Sequence, residues 1–407
     1  MKKNLHSRQG GNMKILIISH MYPSSFNRMS GIFVHRQAEA LVKNGCEVKV
    51  VSPVPWTPFP IKYMNKKWKA YSDIPLKAII GSIEVYYPRY LEFPHGILFH
   101  KSGWLMGKCI FRTLKKIYSN FRFDIIHSNV ALPDGYSAMI ANRKFNVPHV
   151  VTIHGQDFQN TIARNDKCKR AVFEVLNTAD RIITVSSKLK NIVKGEKFYN
   201  KIKVINNGVD LSSDFCNSEK MYRKAHRNLI KILSVSNLKK TKGIHINLKA
   251  IGKLKDKYSN IQYDIIGNGD FEGPLRKLVR KLNLEDKVNF LGRMEHEKVI
   301  KCISDYDIFS LPSYNEGFGV AYIEAMSRGI PVIGVKGEGI EDAITNGYNG
   351  FLVDREDVDS LHSILEKLIK DEDTRVRVGL NGKNTVEKYF TWDENAKKVI
   401  KLYEEIT

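Results

Sequence analysis

The chain has 407 residues, 43% of them hydrophobic and 27% charged, and carries a formal net charge of +22. At about 100–200 residues per domain this length predicts two domains, and the composition excludes a disordered, collagenous or low-complexity chain. No uninterrupted apolar run approaches the roughly 18 residues that cross a bilayer, and MKKNLHSRQGGNMKILIIS lacks an apolar core before a small-residue cleavage site, so the chain reads as cytoplasmic.

Residues 1–12 read as a flexible tail, and Met13 is a second candidate start beside Met1. Residues 13–210 then alternate short β-rich runs with amphipathic helical stretches. The predicted strands are Lys14–Ser19, Glu47–Val51, Glu84–Tyr87, Asp124–His127, His149–Thr152, Arg181–Val185 and Lys203–Ile205. A polar stretch over 211–228 suits a linker. Residues 229–390 repeat the alternation with Lys231–Val235, Gln262–Ile266, Val288–Leu291, Ile308–Leu311, Pro331–Val335 and Gly350–Val353. After Asp357 helical periodicity takes over, and the last segment, 391–407, is expected to cross back to the first domain as a helix. The fold class is therefore α/β, with two doubly wound Rossmann-like domains in tandem and a helical C-terminal tail. Such sheets bind ligands beyond the carboxyl ends of their strands.

Charge is uneven along the chain. Residues 1–224 hold 36 Lys and Arg against 15 Asp and Glu, and 225–407 hold 29 against 28. A basic first half predicts an anionic partner such as phosphate, membrane surface or nucleic acid. Cys46, Cys109, Cys168, Cys216 and Cys302 are scattered without a Cys-x-x-Cys pair and read as reduced and structural.

The loops after strands hold the candidate chemistry. Gly31, with Ile32-Phe33-Val34-His35, opens the first helix and lets backbone amides approach a phosphate, without a G-x-G-x-x-G fingerprint for a nicotinamide cofactor. His154, followed by Gly155-Gln156-Asp157, ends a strand where it could meet a sugar hydroxyl or phosphate oxygen. Lys242-Gly243 places an ammonium at a helix start, suited to a diphosphate. Gly267-Asn268-Gly269-Asp270 reads as a tight turn with Asp270 as helix cap. In Pro312-Ser313-Tyr314-Asn315-Glu316-Gly317-Phe318-Gly319, followed by Glu324, the two carboxylates lie eight residues apart across a Gly-x-Gly helix start. Glu324 is expected about two turns into the helix, with both carboxylates reaching one elongated ligand. Paired carboxylates outside an acidic cluster suggest hydroxyl recognition rather than metal binding.

These motifs in this order, with Asn207-Gly208-Val209-Asp210, resemble over nearly the whole chain the retaining glycosyltransferases of family 4. That family has the GT-B fold of two Rossmann-like domains facing a cleft and takes nucleotide-diphosphate sugars. Tyr22-Pro23, Gly31-Ile32-Phe33-Val34-His35, Pro88-Arg89-Tyr90 and Ile126-His127-Ser128-Asn129 to Pro133-Asp134-Gly135 look most like teichuronic-acid and exopolysaccharide sugar transferases. The resemblance implies a metal-independent hexosyltransferase without cofactor, using a UDP- or GDP-sugar as co-substrate. By it, Glu324 binds ribose hydroxyls and Glu316 the transferred sugar, while Gly317, Phe318 and Gly319 present amides. Lys242 neutralises the diphosphate, Gly31 approaches it from the other domain, and His154 contacts the sugar. His154, Lys242 and Glu316 are thus the catalytic candidates. The sequence departs at Asn237, where the family usually has Arg, which halves the cationic clamp unless Lys239 or Lys240 compensates, and at Asn206, commonly Pro.

The first half is then the acceptor side. Trp56, Phe59, Tyr63, Trp68, Phe93, Phe99 and Trp104 interleave with Lys66, Lys67, Lys69, Lys101, Lys108, Arg112, Lys115 and Lys116. This pattern suits peripheral contact with an anionic membrane at the inner face of the cell membrane, where a lipid-linked polysaccharide precursor would sit. A nucleotide-sugar epimerase of the same fold and a nonenzymatic binder of an anionic polymer remain alternatives; no nucleic-acid-binding module is visible.

Overall fold

Near-continuous apolar runs such as KILII and HVVTI form strands buried on both faces, the mark of parallel sheets covered by helices. The computed structural model describes residues 12–93, 96–211 and 228–407. Residues 1–11 of the expected tail and 212–227 of the expected linker, with Cys216, lie outside the described residues. The chain divides into two compact units, Met1–Asn207 with Trp392–Thr407, and Gly208–Thr391.

The first unit holds β1 (Lys14–Ile18), β2 (Glu47–Val51), β3 (Val54–Pro55), β4 (Lys77–Ile80), β5 (Ile83–Tyr86), β6 (Arg89–Tyr90), β7 (Ile125–Asn129), β8 (His149–Ile153), β9 (Arg181–Thr184) and β10 (Ile202–Val204). Its main sheet runs β10-β9-β8-β7-β1-β2-β5-β4, parallel but for β4. Alternation along β1 sends Ile15 and Ile17 to one face and Leu16 and Ile18 to the other. The first face is covered by helices Ile32–Lys43 and Trp392–Glu404 through Val34, Leu41, Ala396 and Val399. The second is covered by Ser102–Asn120 through Met106, Ile110 and Leu114. Fully burying each such aliphatic side chain contributes about 1.5–3 kcal/mol.

The second unit holds β11 (Ile230–Val235), β12 (Ile261–Ile266), β13 (Val288–Gly292), β14 (Ile308–Ser310), β15 (Val332–Val335) and β16 (Phe351–Val353), in the order β13-β12-β11-β14-β15-β16. All of its pairs are parallel. In each unit the chain winds one way from a central strand and then the other, so the order reverses beside β1 and β7 in the first and beside β11 and β14 in the second. Those reversals are where open α/β sheets leave room for a ligand.

Two local expectations are corrected. The helix after β12 spans Glu272–Lys281 with Phe271, not Asp270, at its N-cap position and no side-chain cap. The Phe271 amide donates to the Leu238 carbonyl at 3.0 Å, which ties the turn to the neighbouring loop and delays the helix. Glu324 lies just over one turn, not two, into helix Val320–Met326, because Gly319 at φ 98° holds the chain in a loop up to that point.

Candidate active site

In the second unit, β11 and β14 are hydrogen-bonded neighbours, so the loops leaving their carboxyl ends lie side by side. The Tyr314 amide donates to the Thr241 carbonyl at 2.8 Å and stitches the two loops together. Gly243, at φ 70°, caps helix Ile244–Leu254, and a Cβ there would stand 2.0 Å from the Pro312 carbonyl oxygen, so no other residue fits. This close approach brings Lys242 to the Glu-x7-Glu segment: its Nζ donates to Glu316 Oε1 at 2.5 Å, and Ser313 Oγ donates to the same oxygen at 2.6 Å. The Lys242 and Glu316 side chains are 23% and 15% exposed, open enough for a ligand and dry enough for the charges to matter.

The Glu316 loop is braced from the loop after β15, where Glu338 Oε2 accepts from the Glu316 amide at 2.8 Å. Phe318 is buried and stacks on Phe390 with ring centroids 5.9 Å apart, so its ring belongs to the core and not to the loop surface. Glu324 Oε1 meets His296 Nε2 at 2.7 Å. Asn237 is exposed in the loop after β11, with Lys239 and Lys240 exposed beside it. Lys242 and Glu316 are thus brought into direct contact, with Glu324 on the helix that follows Glu316 and Asn237 in the loop that leads to Lys242.

In the first unit, Gly31 at φ 57° closes the loop after β1, and a Cβ there would lie 2.1 Å from the Met21 carbonyl oxygen. His154, at the end of β8, packs on Phe33 with centroids 4.5 Å apart, and its Nε2 meets Asn129 Oδ1 at 2.8 Å. Burial pulls the His154 imidazole down to about 3, so it is neutral near pH 7. The same unit holds His20, which the sequence reading did not single out, paired with Asp134. His20 Nδ1 is 3.0 Å from each Asp134 carboxylate oxygen, and the His20 amide donates to Asp134 Oδ1 at 3.1 Å. Burial lowers His20, but the Asp134 carboxylate outweighs it and the net shift is upward. Asp157 Oδ1 accepts from the Leu132 amide at 3.2 Å.

Ser313, Glu338, His296, His20 and Asp134 all follow strands, as the strand-end rule requires, but residue type alone did not separate them from ordinary loop residues. Their partners lie from 3 to 114 positions away in sequence. Among the described residues no group of three or more His, Cys, Asp and Glu could hold a metal ion, and no helix is long and apolar enough to cross a membrane.

Comparison with known proteins gives the family and the fold. Residues 30–213 match the model of glycosyltransferase family 4 and residues 219–385 that of glycosyl transferases group 1. An uncharacterized glycosyltransferase of Methanocaldococcus jannaschii is 30% identical over 315 residues, covering 77% of this chain and 84% of its own. The putative teichuronic acid biosynthesis glycosyltransferase TuaC of Bacillus subtilis is 25% identical over 402 residues, covering 97% and 99%. Among solved structures, sucrose-phosphate synthase of Thermosynechococcus elongatus aligns with TM-score 0.75 at 20% identity, covering 97% of this chain and 99% of that one. Anabaena HepE in complex with UDP and glucose aligns with TM-score 0.71 at 19% identity, covering 97% and 100%. The last two likenesses speak to the fold of paired Rossmann-like domains, and the sequence matches to the family: the chain belongs to the group 1, family 4 glycosyltransferases.

Proposed function

We propose that the protein moves a hexosyl group, with retention of configuration, from a UDP- or GDP-sugar to a hydroxyl of a lipid-linked precursor of a cell-surface polysaccharide. The observation that carries this reading is the Lys242–Glu316 contact at the β11/β14 reversal. An ammonium beside a glycine-rich helix start suits the departing diphosphate, whose growing negative charge it stabilises. Glu316 then holds hydroxyls of the transferred sugar and Glu324 those of the ribose, each carboxylate accepting hydrogen bonds. Donor binding has to share or displace the contacts that Lys242 and Ser313 make with Glu316 and that His296 makes with Glu324. In the first unit the family resemblance gives Gly31 to the diphosphate and His154 to the sugar; a neutral His154 is fit to hydrogen-bond a hydroxyl. No divalent metal is required in this scheme, because Lys242 and the amides do the neutralising.

The acceptor class is supported by TuaC, named for teichuronic acid biosynthesis, and by the surface of the first unit. Strands β3 and β6 pair in parallel, with the Trp56 amide on the Tyr90 carbonyl at 2.7 Å, so the chain leaves both strands at the same end. Trp56, Phe59, Tyr63, Phe93 and Trp104 are exposed there among lysines, whereas Phe99 and Trp68 are half-buried. Exposed aromatics with basic residues suit an anionic membrane surface.

The test is turnover of a nucleotide-sugar panel with lipid-linked acceptors from a bacterial envelope extract, with EDTA and with Glu316→Ala. Transfer from one donor that survives EDTA and disappears in the variant is the expected result. A product epimerised at the sugar without acceptor would replace the transferase with an epimerase.

A further inference from the structure

In the second unit β12 and β11 lie between β13 and β14, so the loops that leave β13 and β14 are not neighbours through the sheet. A side-chain contact joins them all the same. Helix His296–Ile303 begins just beyond the carboxyl end of β13, and helix Val320–Met326, beyond the carboxyl end of β14, carries Glu324. His296 Nε2 stands 2.7 Å from Glu324 Oε1, across 28 positions of sequence. The two side chains are 39% and 13% exposed.

Facing a carboxylate, the His296 Nε2 carries its proton and donates to Oε1. A pair this open to water adds little to folding stability, so the contact is poorly explained as a clasp for the fold. What it fixes is the direction of a carboxylate. A glutamate has several side-chain torsions to settle and gives up that freedom when a ligand binds through it. Arg328, four residues on, already interacts electrostatically with Glu324 and offers the carboxylate a second direction to turn. The His296 hydrogen bond selects against that swing, so the carboxylate is oriented before a ligand arrives. An ionised carboxylate has about four lone-pair positions, and one N–H leaves enough of them for a neighbouring pair of hydroxyls.

We infer that His296 is a positioning residue for Glu324: it holds the carboxylate in the rotamer that accepts the hydroxyls of a nucleotide ribose, and thereby sets a preference for ribonucleotides over 2′-deoxyribonucleotides. Glu324 then shares its carboxylate between His296 and the ribose, and the His296 contact is not displaced. This rests on the proposed function for the role of Glu324 and adds the residue that makes that role selective.

Calorimetric titration of UDP, GDP and their 2′-deoxy counterparts into the full chain tests this, with His296→Ala, His296→Gln and Glu324→Ala as variants. Alanine is well tolerated at an exposed helix start, and unchanged near-ultraviolet circular dichroism checks that each variant is folded. In the wild type the ribonucleotide that binds should do so about tenfold more tightly than its deoxy form. His296→Ala should bring the two within about threefold by weakening the ribonucleotide, while the deoxy form keeps its affinity. His296→Gln, whose side-chain amide can donate to the same oxygen, should restore the preference. The inference is overturned if His296→Ala keeps the preference, if it weakens both forms equally as a general loss of structure would, or if His296→Gln fails to restore it. A preference lost in Glu324→Ala but kept in His296→Ala overturns the inference and leaves the proposed role of Glu324 standing. No preference in the wild type, or no binding of either ribonucleotide, overturns both.

Discussion

Gly243→Ala probes the loop contact on which the proposed donor site depends. Alanine at φ 70° costs about 1–2 kcal/mol for the left-handed backbone. The new Cβ would also stand 2.0 Å from the Pro312 carbonyl oxygen, a backbone atom that cannot rotate away. Forcing the loops apart adds about 1–3 kcal/mol. Gly347, in the same unit at φ 77°, has nothing within 4 Å of its Cβ position, so Gly347→Ala carries the backbone cost alone. At about 2–4 °C per kcal/mol for a unit of this size, Gly347→Ala should lower the melting temperature by about 2–8 °C, and Gly243→Ala by a clearly larger amount. Both are measured by differential scanning calorimetry, with nucleotide-sugar turnover alongside. Gly243→Ala should also lose most of its turnover because Lys242 is its chain neighbour, while Gly347→Ala keeps it. Equal falls in melting temperature, or equal turnover, would refute the claim that this glycine is what allows Lys242 to reach Glu316.

Other outcomes are expected elsewhere. Asn237→Arg should raise donor turnover about tenfold, the worth of one charge-assisted hydrogen bond, since position 237 is exposed and has room for the longer side chain; an unchanged rate would remove Asn237 from the donor site. Burial holds His127 near 3, His149 near 4 and His154 near 3, below the ordinary 6.5. Their neutral forms are therefore favoured by folding, and the unfolded chain takes up their protons first as pH falls below 6.5. Each such histidine should lose about 1.4 kcal/mol of stability per pH unit in that window. Urea melts between pH 6 and pH 4 should show a slope shallower by about that amount per unit in His127→Gln, and parallel slopes would contradict the assignment. The chain should float with phosphatidylglycerol vesicles at low salt and not with phosphatidylcholine. Replacing Trp56, Phe59 and Tyr63 together by Ser should abolish flotation, and retention by that variant would dismiss this surface.

Apolar patterning made most of the fold legible, because a parallel strand buried on both faces is a short, distinct run of Ile, Val and Leu. It missed β4, an edge strand whose residues alternate between exposed and half-buried, and the two-residue β3 and β6, too short to carry a period. Helix starts were less legible: Asp270 has the chemistry of a cap, but the Phe271–Leu238 hydrogen bond, set by a neighbouring loop, decides where the helix begins. In the site, Glu316, Glu324 and Lys242 were visible from their spacing to glycines. The partners that orient them were not, because Ser313, Glu338 and His296 acquire meaning only when the sheet order brings separate loops together.

Calorimetric titration of UDP and GDP into the wild-type chain and into Lys242→Met addresses the central claim, that the β11/β14 reversal is a nucleotide-diphosphate site. One nucleotide should bind, and the loss of the Lys242 ammonium that contacts Glu316 should weaken it at least about tenfold. Binding of neither nucleotide, or equal affinity in the variant, would contradict the account.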